Sequence, residues 1–178
     1  MLGLVNDNTA TGPTHPPVND LDIHRTIADD LDIRRATAAD VAGIVAMIAD
    51  DQLGATREST DDLTPYLAAF NRIDTDPNQL LVVAERNNEL VGTLQLTIIP
   101  GLSRRGSSRG LIEAVRVATT ARGEGLGTTL IRWAIEESRT RGCTLVQLTS
   151  DKSRTKAHNF YTNLGFENTH EGFKLKLN

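Results

Sequence analysis

The order of elements predicts an α/β fold, one mixed sheet of six or seven strands with helices on both faces. Three patterns predict it. Apolar or alternating runs of strand length recur at 31–35, 80–85, 90–99, 111–117, 145–150 and 173–177. Segments with helical spacing lie between them, two after the first run and one after each of the fourth and fifth. A glycine-rich turn also joins a strand directly to a helix, in "VRVATTARGEGLGTTLIRW" at 115–133.

Each element has a local reason. "DLDIRR" at 30–35 leads straight into a helix start, so the first strand is placed at 31–35; the near-copy "DLDIHR" at 20–25 has no such sequel. Thr37 caps the first helix, and Asp40 three residues on makes a shortened capping box. Val41, Ile44, Val45 and Ile48 then share one face. Ser59 and Asp62 repeat the capping signal, and Leu63, Tyr66, Leu67 and Phe70 repeat the spacing, for a second helix over about 60–73. Aromatics on such a face read as core. "RNNE" at 86–89 is a hairpin turn in which Asn supplies left-handed conformations. In the strand after it, Leu94, Leu96 and Ile98 alternate with Thr93, Gln95 and Thr97. A Gly/Ser loop at 100–110 carries Arg104, Arg105 and Arg109 and precedes the strand at 111–117. Leu126, Leu130, Trp133 and Ala134 mark the helix after the turn, which Gly142 stops. Ala157, Phe160, Tyr161 and Leu164 share a face of a last helix over 154–165, and "FKLKL" alternates as a last strand at 173–177.

Composition narrows the class. The 178 residues suit one domain, placed at 31–178, with a flexible, Pro-, Asn- and Thr-rich tail at 1–30. A net charge of −4, from 19 basic and 23 acidic residues, argues against nucleic-acid binding. No apolar run approaches the roughly 20 residues of a membrane span, and the N-terminus lacks the basic start and apolar centre of a signal peptide. Cys143 is the one cysteine, so no intrachain disulfide forms, and it reads as a small buried thiol. A cytoplasmic protein is expected.

The turn at 122–127 has the chemistry of an anion cradle. Amides at a helix N-terminus have no intrahelical partner, the helix dipole is positive there, and glycine lets an anion come close. Spacing excludes two common cradles. A P-loop needs Lys and then Ser/Thr after its second glycine, but Gly127 is followed by Thr128 and Thr129. A dinucleotide fingerprint on Gly123 and Gly125 needs Gly or Ala at 128, and it belongs early in a βαβ unit. What remains, Arg122-Gly123-Glu124-Gly125-Leu126-Gly127, resembles the R/Q-x-x-G-x-G/A signature of the GNAT acetyltransferases. "IEAVRV" at 112–117 is similar to the family's fourth strand, and "AHNFYTNLGFE" at 157–167 to its late helix. The resemblance covers about residues 31–177.

The resemblance implies a sheet splayed between its fourth and fifth strands, and acetyl-CoA as co-substrate. Residues Arg122, Gly123, Glu124, Gly125, Leu126, Gly127 and Thr128 would wrap the diphosphate. Val115, Arg116 and Val117 would line the pantetheine arm, the two valines through their backbone. Ser150, Asn159, Phe160 and Tyr161 would complete that side. The implied reaction is direct attack by an amine on the thioester in a ternary complex. Glu113 would take the amine's proton, and Tyr161 would protonate the leaving thiolate.

Strand alternation separately places Leu111, Glu113, Val115 and Val117 on one side. An acid on such an apolar face suffers desolvation, which favours its protonated form and suits a base. The plainer role for Glu113 is an ion pair with Arg104, Arg105 or Arg109. For Tyr161 it is the helix's core face. The 148–177 region is similar to aminoalkylphosphonate N-acetyltransferases, so the acceptor is expected to be a small primary amine, one bearing an acidic group that Arg104, Arg105 and Arg109 would hold. Peptide or protein amines, a non-catalytic acetyl-CoA-binding regulator and a nucleotide-binding module are the alternatives. His158 and His170 lack ligand spacing, so no metal is expected. The edge at "FKLKL" suggests a homodimer.

Overall fold

In the computed structural model, which describes residues 25–28, 30–50 and 57–177, six strands form one sheet in the order β1-β2-β3-β4-β5-β6. They are β1 (Arg25–Ala28), β2 (Leu31–Arg35), β3 (Gln79–Arg86), β4 (Glu89–Ile99), β5 (Ser108–Val117) and β6 (Cys143–Leu148). Neighbours run antiparallel except β5 and β6, which are parallel. The helices are α1 (Val41–Ala49), α2 (Thr64–Asp74), α3 (Ser103–Gly106), α4 (Leu126–Thr140) and α5 (Thr155–Asn163).

The sheet separates two cores. On one face Leu80, Val82, Leu94, Leu96 and Ile112 meet Leu126, Leu130, Ile131, Trp133 and Ala134 of α4. On the other, Val83 meets Val41, Ile44 and Val45 of α1 and Phe70 of α2. Helix α4 lies very close to β5: a Cβ on Gly110 would come within 2.4 Å of Ser138 Oγ. Only glycine permits that approach.

The expected signals hold where a local bond enforces them. The Thr37 amide and hydroxyl both donate to Asp40 Oδ2, at 2.7 and 2.9 Å. Arg34 grips the same carboxylate through both terminal nitrogens and also donates to Glu85, tying β2, β3 and the start of α1 together. That bidentate grip holds the Asp40 carboxyl below its ordinary range against the opposing desolvation. Asn87 and Asn88 have φ of 52° and 64°, the doubly left-handed pair that closes a two-residue hairpin.

Four expectations need correction. Strand β1 lies inside the stretch read as a tail and pairs with β2, Arg25 opposite Ile33, so the sheet begins there; residues 1–24 and 29 of that tail are outside the described residues. Helix α2 starts at Thr64 rather than near 60, because Pro65 occupies its first turn. Strand β5 begins at Ser108 and β6 at Cys143, earlier than 111 and 145, since the parallel ladder between them extends pairing beyond the apolar runs. The run 173–177 is not a strand: Phe173, Leu175 and Leu177 are 92%, 86% and 88% exposed. Alternation provides an apolar row, but without a ladder and a facing layer nothing orders it. The dimer edge expected there is therefore absent from this structure.

Candidate active site

The site is built where β5 parts from β6. Their ladder runs from Ser108–Cys143 to Ile112–Leu148 and stops, leaving Glu113 to Val117 without a partner on that side. This is the splay expected between the fourth and fifth predicted strands. Across β5, on the β4 side, Gln95 faces Glu113 and Thr93 faces Arg116, so Leu94 alone opposes Ala114 and Val115. That extra residue is a β-bulge, with Ala114 in the left-handed region at φ 51°.

The bulge overturns one inference from alternation. Glu113 and Arg116 share the face that carries α1 and α2, whereas Val115 and Val117 pack with the α4 core. Glu113 is exposed, and its neighbours across the ladder are polar, so the apolar setting expected for it does not exist. Its carboxylate stands at the fork in contact with solvent, where a water can relay a proton.

Below the fork lies the turn. Gly123 and Gly125 have φ of 89° and 82°, conformations that side-chain-bearing residues rarely adopt. Neither would meet an atom within 4 Å if given a Cβ, so the space above the turn is open. Helix α4 begins at Leu126, and its first helical bond back to the turn is Thr129 N–H to Gly125 at 3.1 Å. Among the described residues the amides of 123–128 make no backbone hydrogen bond, which leaves them for an anion.

Three residues that sequence reasoning missed shape this turn. Arg122 donates through Nε to the Val117 carbonyl (3.1 Å) and through Nη2 to Asp50 (2.8 Å), and Thr119 donates to the same carboxylate oxygen. The Thr119 bond, with the Arg122 charge beside it, holds the Asp50 carboxyl below its ordinary range. Glu124 pairs with Arg86 at the end of β3, which offsets a negative charge at the cradle. The contacts Arg86–Glu124, Thr119–Asp50 and Arg122–Asp50 span 38, 69 and 72 positions along the chain, so only the tertiary fold brings these partners together.

Helix α5 closes the cleft. Phe160 lies against the turn: a Cβ on Gly127 would sit 3.5 Å from Phe160 Cζ and 3.9 Å from Val117 Cγ2. The helix ends in a Schellman motif, with Phe166 N–H bonding Tyr161 O at 3.1 Å and Gly165 N–H bonding Thr162 O at 3.0 Å. Gly165 takes the left-handed position at φ 91°. The motif turns Phe166 back onto Tyr161, with ring centroids 6.0 Å apart, and Phe160 also packs edge-on against it at 5.2 Å. The Tyr161 ring is thereby fixed. Burial pushes its phenol above the ordinary value of 10.0, and the Arg154 and Arg116 charges offset part of that. At neutral pH it keeps its proton.

The other expected residues divide. Ser150 Oγ is enclosed and has no hydrogen-bond partner among the described residues. The Val115 carbonyl accepts a bond from the Arg116 guanidinium at 2.8 Å and retains a second lone pair. Asn159 is exposed on α5. Arg109 shares the Glu113 face and has an enclosed Nε without a partner, but Arg104 and Arg105 are exposed on α3, away from any ion pair among the described residues. His158 contacts the Asp151 carbonyl and His170 the Thr169 hydroxyl, two separate local contacts.

Residues 45–166 match the acetyltransferase (GNAT) family. The chain belongs to the GNAT acetyltransferases. This GNAT chain is 30% identical to an aminoalkylphosphonate N-acetyltransferase of Salmonella typhimurium over 146 residues, 82% of its own length and 91% of the relative's. It is 40% identical over 88 residues to a glucosamine 6-phosphate N-acetyltransferase of Trypanosoma brucei brucei, covering 49% and 58% of the two chains. A crystal structure described as a transcriptional regulator from Bacillus halodurans matches with a TM-score of 0.80 and 46% identity, over 83% of this chain and 99% of that one. The protein is a GNAT-family acetyltransferase with relatives named for N-acetylation of small molecules. Among its described residues no helix is long and apolar enough to cross a membrane.

Proposed function

We propose that this acetyltransferase moves an acetyl group from acetyl-CoA to the primary amine of a small molecule bearing an anionic group, by direct attack in a ternary complex. The observation that carries the reading is the juxtaposition at the fork: an exposed carboxylate, Glu113, on the first residue beyond the β5–β6 ladder, above a turn of unpaired amides. Both named small-molecule relatives act on amines carrying a phosphonate or phosphate.

The residues present fit acetyl-CoA. The open turn and its free amides suit a diphosphate, and the enclosed Ser150 Oγ lacks a partner that a ligand amide could supply. The co-substrate supplies an acetyl group activated as a thioester. The Arg122 to Thr128 turn binds the diphosphate, and the unpaired edge of β5 at Val115 and Val117 aligns the pantetheine. An alkyl ammonium has its pKa near 10, so it must lose a proton before it attacks. Glu113 accepts that proton on a carboxylate oxygen, directly or through a bound water. Tyr161 Oη donates a proton to the departing sulfur. We further place the protein in the cytoplasm.

A second reading is a regulator that binds acetyl-CoA without turnover, favoured by the description of the Bacillus halodurans relative. Turnover of acetyl-CoA against a panel of aminophosphonates, sugar-phosphate amines, uncharged amines and peptides tests both. The expected result is CoA release with small anionic amines and little with peptides. Binding of acetyl-CoA without release for any amine supports the regulator instead.

A further inference from the structure

The face that carries Glu113 continues away from the fork as a polar ledge. Thr97 and Gln95 alternate along β4, and Gln79 lies opposite Thr97 on β3. Gln79 Oε1 accepts two hydrogen bonds, from Gln95 Nε2 at 2.9 Å and from Thr97 Oγ1 at 2.8 Å. Both amides are oriented by this arrangement. Gln79 is left with its N–H donors, and Gln95 with its carbonyl oxygen.

Gln79 and Gln95 of the ledge floor a cleft of about 260 Å³, walled by Ala69, Arg72 and Ile73 of α2 and by Asp76. The two charged residues that line it differ in their contacts. Asp76 accepts a bond from the Asn78 amide at 2.8 Å, within its own turn. The Arg72 guanidinium makes no ion pair or hydrogen bond among the described residues and is exposed to the cleft.

Strand order gives the cleft a polarity. Gln95 stands directly across the ladder from Glu113, and Gln79 is one strand further away. A hydrogen-bond acceptor, Gln95 Oε1, thus lies on the side of the base. Donors, from Gln79 and Arg72, lie on the far side. Strands are about 4.8 Å apart, so the two ends are separated by the length of a short aliphatic spacer. An amine at the near end would donate to Gln95 and present its proton to Glu113. An anionic group at the far end would accept from the Gln79 amide and the Arg72 guanidinium, a charge-assisted contact.

We propose that the cleft between the C-terminal half of α2 and the Gln79–Gln95–Thr97 ledge is the acceptor site, and that it takes a short primary amine with a phosphonate, phosphate or carboxylate at its other end. This rests on the function proposed above and names the residues that would select the substrate. Arg72, rather than the arginines expected from the sequence, holds the anion.

Steady-state acetylation of 2-aminoethylphosphonate and of propylamine by the full chain tests it, with Arg72→Ala, Gln95→Leu and Arg109→Ala. Arg72→Ala is expected to lower the preference for the phosphonate, as the ratio of kcat/KM values, by about 10- to 100-fold, the worth of a hydrogen bond to a charged group. The loss should fall on KM. Gln95→Leu is expected to lower kcat/KM for both amines. A ratio that survives Arg72→Ala, or that collapses with Arg109→Ala instead, overturns the site while the acetyltransferase reading stands. A wild-type protein that acetylates neither amine removes the proposed activity on small anionic amines, and the site with it.

Discussion

Glu113→Gln is expected to lower kcat at neutral pH by about 10²- to 10⁴-fold, the usual contribution of a positioned base. The amide keeps the shape of the side chain but cannot accept the ammonium proton. Glu113 is exposed and enters no hydrogen bond or ion pair among the described residues, so the substitution should leave stability within about 0.5 kcal/mol. The measurement that separates chemistry from folding is the pH–rate profile. Wild type should lose rate on the acid side as the base becomes protonated. In the variant that limb should vanish or move to alkaline pH, where the free amine is already abundant. An unaltered profile removes Glu113 as the base and leaves it as a solvated surface acid.

Tyr161→Phe is expected to lower kcat by about 10²-fold, at the lower end for a general acid. The ring contacts with Phe160 and Phe166, at 5.2 and 6.0 Å, and the Schellman bonds that set them do not involve the hydroxyl. The fold should therefore be retained, and a thermal melt checks this. A signed pH effect accompanies the mutation. Burial raises the phenol above 10.0, so the folded state favours the protonated form. The stability tied to that form is complete below the unfolded-state value and is lost as pH rises through the folded one. Wild-type turnover should fall on an alkaline limb above pH 10, and that limb should be missing in Tyr161→Phe. Unchanged turnover in the variant would return Tyr161 to a core role alone.

The turn and its helix are legible in the sequence because their determinants are local. Glycines at 123 and 125 permit left-handed φ, the helix face follows from spacing, and Gly165 with Phe166 announces the end of α5. The Asn87-Asn88 hairpin is legible for the same reason. The face of Glu113 is not. Period-two alternation has no means of counting the extra residue at Ala114, and a bulge of one residue exchanges the two faces of everything beyond it. Placing Glu113 among Val115 and Val117 follows from the pattern, but the backbone separates them.

The same limit applies to residues joined by the fold. Asp50 and Arg86 look like ordinary surface charges along the chain, yet one orients Arg122 and the other Glu124. The signal that could have led to Gln95 was present, since the polar row Thr93, Gln95, Thr97 defines one side of β4. Reading it as a ledge required the register with β3 and β5. Strand β1 is not legible because four residues in a polar, proline-rich stretch carry little pattern, and their order comes from the ladder with β2. At 173–177 the pattern was strong and no ladder forms.

Amide hydrogen exchange of the full chain with and without acetyl-CoA tests the central claim most directly, because the claim concerns backbone groups. Saturating acetyl-CoA should slow exchange at 113–117, where β5 lacks a partner, and at 123–128, where the turn's amides lack acceptors. Protection that spares both segments, or that appears only elsewhere on the sheet, would contradict it.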